Sequence, residues 1–245
     1  MANSLTFNGH DLSDYGLIVK SRNMPVDFQA DGVLVEDISY AGNSKVPPKN
    51  ISLEITVTAS SPTVLKSNMD TIMLILNQQE SQQLILDTLT DRYWIARFKS
   101  LNGTYRGIAF NGTLEFTCFD PFAYAVSEST DVTAIAADPD NAVIDAGGTA
   151  LIRPVYTIVS DANDGTATIV LHSDNTDEEI EWSGALIIGT EIEIDCANWV
   201  VYKDDVEDMA TVSGQFPTLV QDTTNLILTS GFTGSLTVTW RNRFV

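Results

Sequence analysis

The sequence predicts a mostly β protein with a single α-helix, and three observations carry this prediction. Residues 51–58 alternate strictly between apolar and polar side chains, which is the period of a strand with one buried face. Residues 65–76 place apolar side chains at spacings of four, three and four, which is the period of a helix. The C-terminal half contains about seven short apolar segments separated by turns, a pattern typical of a β-sandwich.

The chain opens with predicted strands and turns. Residues 5–7 form a short strand, Asn8-Gly9 is a strong turn signal, and residues 17–19 form a second strand after Tyr15-Gly16. Residues 33–35 and 38–40 could pair as part of a protruding hairpin. The adjacent Pro47 and Pro48 belong at an edge or a connection, because proline cannot donate to a strand ladder.

The helix has a clear predicted start. Ser61 is the expected N-cap residue, and Pro62 stands at the first helical position, where its missing N–H costs nothing. The apolar stripe that follows predicts a helix packed on one face, through Leu65, Met69, Ile72 and Leu76.

Further strands are predicted at residues 84–86, 93–98 and 108–119. A turn is expected at Asn102-Gly103, a possible bulge at Asn111-Gly112, and a stop at Asp120-Pro121. Residues 126–150, rich in Ala, Asp, Ser and Thr, are either a linker or the opening strand of a second domain. Beyond them the predicted strands are 155–159, 167–172, 179–182, 191–195, 199–203, 226–229 and 235–241.

The net charge of −20 is unevenly distributed. Residues 1–130 carry nine Lys and Arg against 14 Asp and Glu, whereas residues 131–245 carry four against 19. Such a chain is not expected to hold DNA or an anionic membrane through counterion release. No apolar run approaches the roughly 20 residues of a membrane helix, and the first residues do not resemble a secretory signal.

Few residues suggest chemistry. Cys118 and Cys196 are expected to be buried free thiols, and two cysteines with two histidines at wide spacing argue against a zinc site. His172 ends a predicted strand and adjoins Ser173, and because neighbouring strand residues point to opposite faces, the pair does not have the geometry of a hydrolase triad. His10 lies in a predicted turn. We expect no catalytic residue, no cofactor and no metal.

Two acidic clusters leave two interpretations open. Either they form a solvated acidic face, or their oxygens hold calcium. The pattern of a calcium loop is incomplete, because Gly165 comes one position too early after Asp161. The clusters comprise Asp174, Asp177, Glu178, Glu179 and Glu181, and Asp204, Asp205, Glu207 and Asp208.

Three segments, in this order, resemble the distal tail protein (Dit) family of long-tailed siphophages. The first is Phe7-Asn-Gly-His-Asp-Leu-Ser-Asp-Tyr-Gly16 before an apolar strand. The second is Phe116-Thr-Cys-Phe-Asp-Pro-Phe-Ala-Tyr124. The third combines Arg153-Pro154, Glu193 to Ala197, and Phe216-Pro-Thr-Leu219 before Asn225-Leu-Ile227. One departure is that Asp222-Thr-Thr224 stands where the family usually has a glycine, which leaves the type of that turn open.

The resemblance implies an N-terminal β-sandwich with one α-helix and an extended hairpin over residues 1–130, and a galectin-like β-sandwich over 131–245. It implies a hexameric ring that joins the tail tube to tail-tip and receptor-binding proteins, with possible contact to the tape-measure protein. DNA would only pass through the lumen. The protein would be assembled in the host cytoplasm and reside in the virion. By position in the family, the inter-subunit residues would be Tyr40, Lys45, Val46, Pro47 and Pro48.

Two other functions compete with a structural hub. A carbohydrate-binding adhesion module is the first alternative, although the arginines of a galectin-type sugar site do not follow His172 and only Arg153, Arg241 and Arg243 are available. Its aromatic candidates are Trp182, Trp199 and Trp240, for which core packing is the ordinary role. A glycan hydrolase using paired carboxylates is the second alternative.

Overall fold

The computed structural model describes residues 4–23 and 48–245, and the predicted hairpin segments at 33–35 and 38–40 lie outside them. The chain forms two compact units, Met1–Val126 with Val245, and Ser127–Phe244. Over the described residues, the predicted mostly β fold with one α-helix is confirmed. In the part of the chain that is described, no helix combines the length and apolar character needed to cross a membrane.

The first unit is a β-sheet folded over on itself, with one α-helix. Its elements are β1 (Leu5–Phe7), β2 (His10–Asp11), β3 (Leu17–Asn23), β4 (Lys49–Thr58), α1 (Pro62–Leu76), β5 (Gln82–Leu86), β6 (Arg92–Arg106), β7 (Ala109–Cys118) and β8 (Ala123–Ala125), with short 3-10 turns at Leu12–Tyr15 and Asp87–Leu89. The strand order is β2-β1-β5-β6-β7-β4-β3.

Strand β6 joins the two layers of this unit. Its first part pairs with β5 and β8, and from Arg97 onward it pairs with β7, with a register shift between Phe98 and Ser100. The layers meet where Phe7 packs on Phe116 at 5.2 Å between ring centroids, and both rings are fully buried. A bulge of this kind bends a strand, which is how one long strand can serve both layers.

The helix begins and packs as predicted. The Val64 amide donates to Ser61 Oγ at 3.2 Å, and Pro62 is the first helical residue. The predicted stripe is buried together with Ile75, which the spacing did not include. Strand β4 likewise buries its four alternating aliphatic side chains, Ile51, Leu53, Ile55 and Val57.

Two predictions about β6 and β7 are wrong. Asn102-Gly103 is not a turn but lies inside β6, and Asn111-Gly112 pairs without a bulge. Gly103 and Gly112 face each other across the two strands, and the Phe110 ring lies where their β-carbons would be. The glycines therefore make room for an aromatic ring within the ladder, and the chain reverses later, at Gly107.

The second unit is a sandwich of two antiparallel sheets. One sheet has the order β10-β18-β12-β13-β17 and the other β16-β15-β14-β11-β19-β9. Residues 126–150 open this unit with β9 and β10 rather than forming a linker, and the predicted boundary after residue 130 falls inside β9. The strands are β9 (Ser129–Ile135), β10 (Asp140–Ala146), β11 (Val155–Ser160), β12 (Asp164–Ser173), β13 (Glu178–Leu186), β14 (Glu191–Asp195), β15 (Val200–Lys203), β16 (Val206–Glu207), β17 (Val212–Gly214), β18 (Thr223–Ser230), β19 (Gly234–Trp240) and β20 (Arg243–Phe244).

Candidate interaction surfaces

The predicted inter-subunit segment is only partly described. Tyr40, Lys45, Val46 and Pro47 lie outside the described residues, and Pro48 is exposed immediately before β4. Their role in subunit contacts therefore stays a prediction.

Next to this segment, Lys49 and Cys118 face each other across β4 and β7. Burial lowers the pKa of Lys49, whose ammonium lies 5.9 Å from the centroid of the Trp94 ring. Burial also raises the pKa of Cys118 to about 12, so its thiol stays protonated and unreactive at neutral pH. Both Cys118 and Cys196 are buried and free, as predicted.

The histidines do not assemble a nucleophilic centre. His10 is exposed in β2. His172 Nδ1 lies 3.6 Å from Glu179 and Nε2 lies 4.0 Å from Asp177. The neighbouring Ser173 is fully buried and its hydroxyl donates to the Thr218 carbonyl at 3.2 Å, so it points away from His172. Ser173 therefore supports the fold and does not form a nucleophile–base pair with His172.

The acids of the first cluster support the fold rather than converge on one point. Glu178 accepts hydrogen bonds from the Thr218 amide at 2.8 Å and from the Thr218 hydroxyl at 2.6 Å. In the second cluster, Asp208 accepts from the Trp182 indole at 3.1 Å, and Asp204 accepts from the Glu191 amide at 3.0 Å. Across the described ranges, no three His, Cys, Asp or Glu side chains are grouped so that they could hold a metal ion.

Sequence reasoning missed a carboxylate-rich cleft of about 270 Å³ on the second unit, because its residues come from two separate strands and a turn. Burial, followed by repulsion from Asp195, Glu191 and Asp205, raises the pKa of Glu193. Strict alternation in residues 191–195 was the available signal, since it puts three acids on one face. The lining residues are Glu191, Glu193, Asp195, Tyr202, Asp204 and Asp205.

Of the residues weighed for sugar binding, two tryptophans are buried, whereas Trp199 is partly exposed beside Arg153. Trp182 and Trp240 are buried, and their indole groups donate to Asp208 and Asn242 at 3.1 Å each. Trp199 differs, because it is 39% exposed and has a φ of 60°, which is rare for a bulky residue. The Arg153 guanidinium lies 5.4 Å from the centroid of its ring.

The third family-like segment has a clear structural role. Asn225 is fully buried, accepts from the Val220 amide at 2.7 Å, and donates to the carbonyl oxygens of Val220 at 2.9 Å and Thr223 at 3.2 Å. These bonds fix the turn between Leu219 and β18. Within it Asp222, where the resemblance expected a glycine, has a φ of 51°, which is the left-handed conformation that favours glycine.

A tight turn between β13 and β14 exposes two isoleucines, Ile187 at 64% and Ile188 at 65%. Gly189, at a φ of 87°, is the third residue of this turn, which the Thr190 amide closes by donating to the Ile187 carbonyl at 2.9 Å. Sequence reasoning missed this feature too. The signal was an apolar pair directly before a glycine, where turns usually carry polar residues or proline.

Comparisons with known proteins agree with the resemblance stated from the sequence. Residues 147–244 match the family model for the C-terminal domain of the siphovirus-type tail component. The search of curated proteins gave no match.

Among solved structures, the Dit protein of phage SPP1 matches with a TM-score of 0.76 at 15% identity, over 100% of both chains. That protein is described as a paradigm of the hub adsorption apparatus in phages that infect Gram-positive bacteria. A weaker likeness, with a TM-score of 0.48 and 10% identity over 99% of this chain and 98% of the other, is to the baseplate of phage P2 in its activated, calcium-containing conformation. Residues 147–244 therefore resemble the C-terminal domain of the siphovirus-type tail component, and the whole chain has the fold of SPP1 Dit, as the resemblance to distal tail proteins implied.

Proposed function

We propose that this protein is a structural hub of a siphophage tail tip, in which six copies form a ring at the end of the tail tube. The observation that carries the proposal is the end-to-end structural match to SPP1 Dit, which covers the whole of both chains. A match over one unit would support only a shared domain. The family match over residues 147–244 supports a phage tail role independently of the fold.

In this role the protein works by geometry rather than by chemistry. Repeated contacts between one face of a copy and a different face of the next close a ring when the rotation between them closes. Tail tube protein would bind on one side and a tail-tip hub or receptor-binding protein on the other, with contact to the tape-measure protein during assembly in the host cytoplasm. Acidic side chains facing the lumen would repel DNA phosphates and prevent sticking during ejection.

The first test is the mass of the purified chain by light scattering, together with negative-stain imaging. Rings of about six subunits with a central hole are expected. To test the predicted inter-subunit segment, residues 41–48 are deleted, and the control carries a substitution at the exposed β6–β7 turn, Arg106→Ser. Loss of rings in the deletion variant but not in the control supports a role of this segment in subunit contacts. Intact rings in the deletion would refute it.

Rings can also require the tail tube as a template, so purified virions supply the second test. The chain should be detected by mass spectrometry of purified tails and located at the tail tip by gold-labelled antibody. Label along the tube, or absence of the chain from purified tails, would contradict the hub proposal.

Carbohydrate binding is the second candidate function, and the exposed Trp199 favours it. Its indole is held in a rare backbone conformation beside Arg153, which is the kind of strain found where a fold commits a residue to a ligand. A glycan array with the wild-type chain and Trp199→Ala tests this. Glycan binding by the wild type that is lost in Trp199→Ala supports an adhesion module. No glycan binding by the wild type would refute carbohydrate binding.

A further inference from the structure

We propose that the turn of Ile187 and Ile188, here called the isoleucine tip, docks the second unit onto another tail protein that offers an apolar pocket rimmed by Lys and Arg. This inference rests on the proposed function, because it places the partner in the phage tail.

The isoleucine tip is held in one shape before any partner arrives. The Ile187 amide donates to Thr190 Oγ1 at 3.0 Å, and Thr190 is itself 2% exposed. The Ile188 amide donates to Asn163 Oδ1 at 3.0 Å, and the Gly189 amide donates to the Ser160 carbonyl at 2.8 Å. A turn tied to the neighbouring loop in this way loses little conformational freedom on binding, and such preorganisation favours affinity.

The isoleucine side chains make none of the hydrogen bonds that shape this turn. Those bonds come from backbone groups, Thr190 and Asn163, while about two thirds of each isoleucine is left exposed. Single exposed apolar side chains are common on protein surfaces. Two adjacent isoleucines, each nearly two thirds exposed at the point of a rigid turn, indicate a surface that a partner covers.

The surroundings of the tip specify the charge of that partner. Asp161 and Asp164 are exposed on either side of Asn163, which holds the Ile188 amide, and the exposed Glu191 follows the turn. From residue 154 to residue 202 the chain has ten Asp and Glu and no Lys or Arg. The acidic surface around the tip would repel an acidic partner, an anionic membrane or a second copy of this unit. It would attract a partner whose pocket is rimmed by Lys and Arg, and steer it toward the tip.

Photo-cross-linking in assembled tails tests the proposal. Tails are made with Ile188→benzoylphenylalanine, and the control is Val132→benzoylphenylalanine, at an equally exposed position (66%) on the same unit. The expected product at 188 joins a peptide of another tail protein in which Lys and Arg outnumber Asp and Glu. The control should not give that product. Cross-links only to another copy of this chain, to an acidic peptide, or to nothing in tails that contain the chain would overturn the inference.

A substitution pair gives an independent readout. Tails carrying Ile187→Thr with Ile188→Thr should retain this chain but contain at least about tenfold less of the cross-linked protein, whereas tails carrying Val132→Thr should keep it. Thermal unfolding of the purified double variant checks that the fold is unchanged. Unchanged tail composition would refute docking at the tip while leaving the hub proposal intact. Absence of the wild-type chain from tails would instead refute the hub proposal, and the tip proposal would fall with it.

Discussion

Replacing Asn225 by alanine should destabilise the second unit strongly, because a single amide group fixes the turn before β18. While fully buried, the side chain makes three hydrogen bonds of 2.7, 2.9 and 3.2 Å to the backbone of Val220 and Thr223, and a fourth, longer one of 3.5 Å to the Ile144 carbonyl. Each such bond contributes about 1 kcal/mol net, and leaving backbone partners unpaired adds to the loss. The expected decrease in the free energy of unfolding is therefore about 3 kcal/mol.

A matched control lies in the turn between β12 and β13, where a second asparagine side chain bonds to the backbone of β18. Asn175 also bonds to this backbone, donating to the Thr224 carbonyl at 3.3 Å and accepting from the Leu226 amide at 3.1 Å, but it is exposed. Water can replace its bonds, so Asn175→Ala should cost less than about 1 kcal/mol. The difference between the two variants isolates the effect of burial.

Urea unfolding followed by tryptophan fluorescence measures both, since three of the four tryptophans lie in the second unit. A loss of about 3 kcal/mol corresponds to a fall in melting temperature of roughly 10 °C for a unit of this size. Equal losses for Asn225→Ala and Asn175→Ala would refute the reasoning, since the buried amide would then contribute no more than a surface one.

Three further predictions concern the helix, the glycine pair and the carboxylate cleft. Ser61→Ala removes the N-cap bond and should cost about 1 kcal/mol in chemical unfolding, against no change for the exposed Thr63→Ala. Gly112→Ala would place a β-carbon 2.4 Å from the Asn102 carbonyl oxygen and should cost more than about 2 kcal/mol, whereas Gly165→Ala, with open space around it, should be tolerated. Because the pKa of Glu193 is raised in the folded state, ionisation of this carboxyl group opposes folding. The charged carboxylate therefore destabilises the fold at neutral pH. This destabilisation disappears as the pH falls through the folded-state pKa and then the unfolded-state pKa. Glu193→Gln should therefore raise the melting temperature at pH 7 by about 1–3 °C but not near pH 4. The control Glu207→Gln, at a position outside the cleft, should not raise it. A gain for Glu193→Gln that persists at pH 4 would contradict this cause.

Periodicity predicted the elements whose side chains bury one face. The helix cap at Ser61, the helical stripe and the alternation of β4 depend on neighbours within a few residues, so the local sequence was sufficient. The same holds for the Asn8-Gly9 turn, where both residues have positive φ.

The errors arose where the partner strand decides the outcome. Asn102-Gly103 carries the chemistry of a turn, yet Gly103 faces Gly112 and the Phe110 ring fills the space over both. Nothing within residues 100–105 shows that an aromatic side chain from the next strand will lie there. The carboxylate cleft has the same origin, because Glu193 meets Tyr202 only through the register of β14 with β15.

In the proposed ring, charge would also distinguish the roles of the two parts of the chain. Residues 131–245 carry 19 acids against four bases, so copies of this part repel each other, whereas residues 1–130 carry 14 against nine and are closer to balance. Ring closure should therefore depend on apolar and hydrogen-bonded contacts of the N-terminal part, working against a repulsive background. Because salt shortens the screening length from about 30 Å at 0.01 M to about 8 Å at 0.15 M, the ring fraction measured by light scattering should rise with ionic strength. Rings that dissociate as salt is added would instead show that ion pairs between copies close the ring, and the charge imbalance would then need a different explanation.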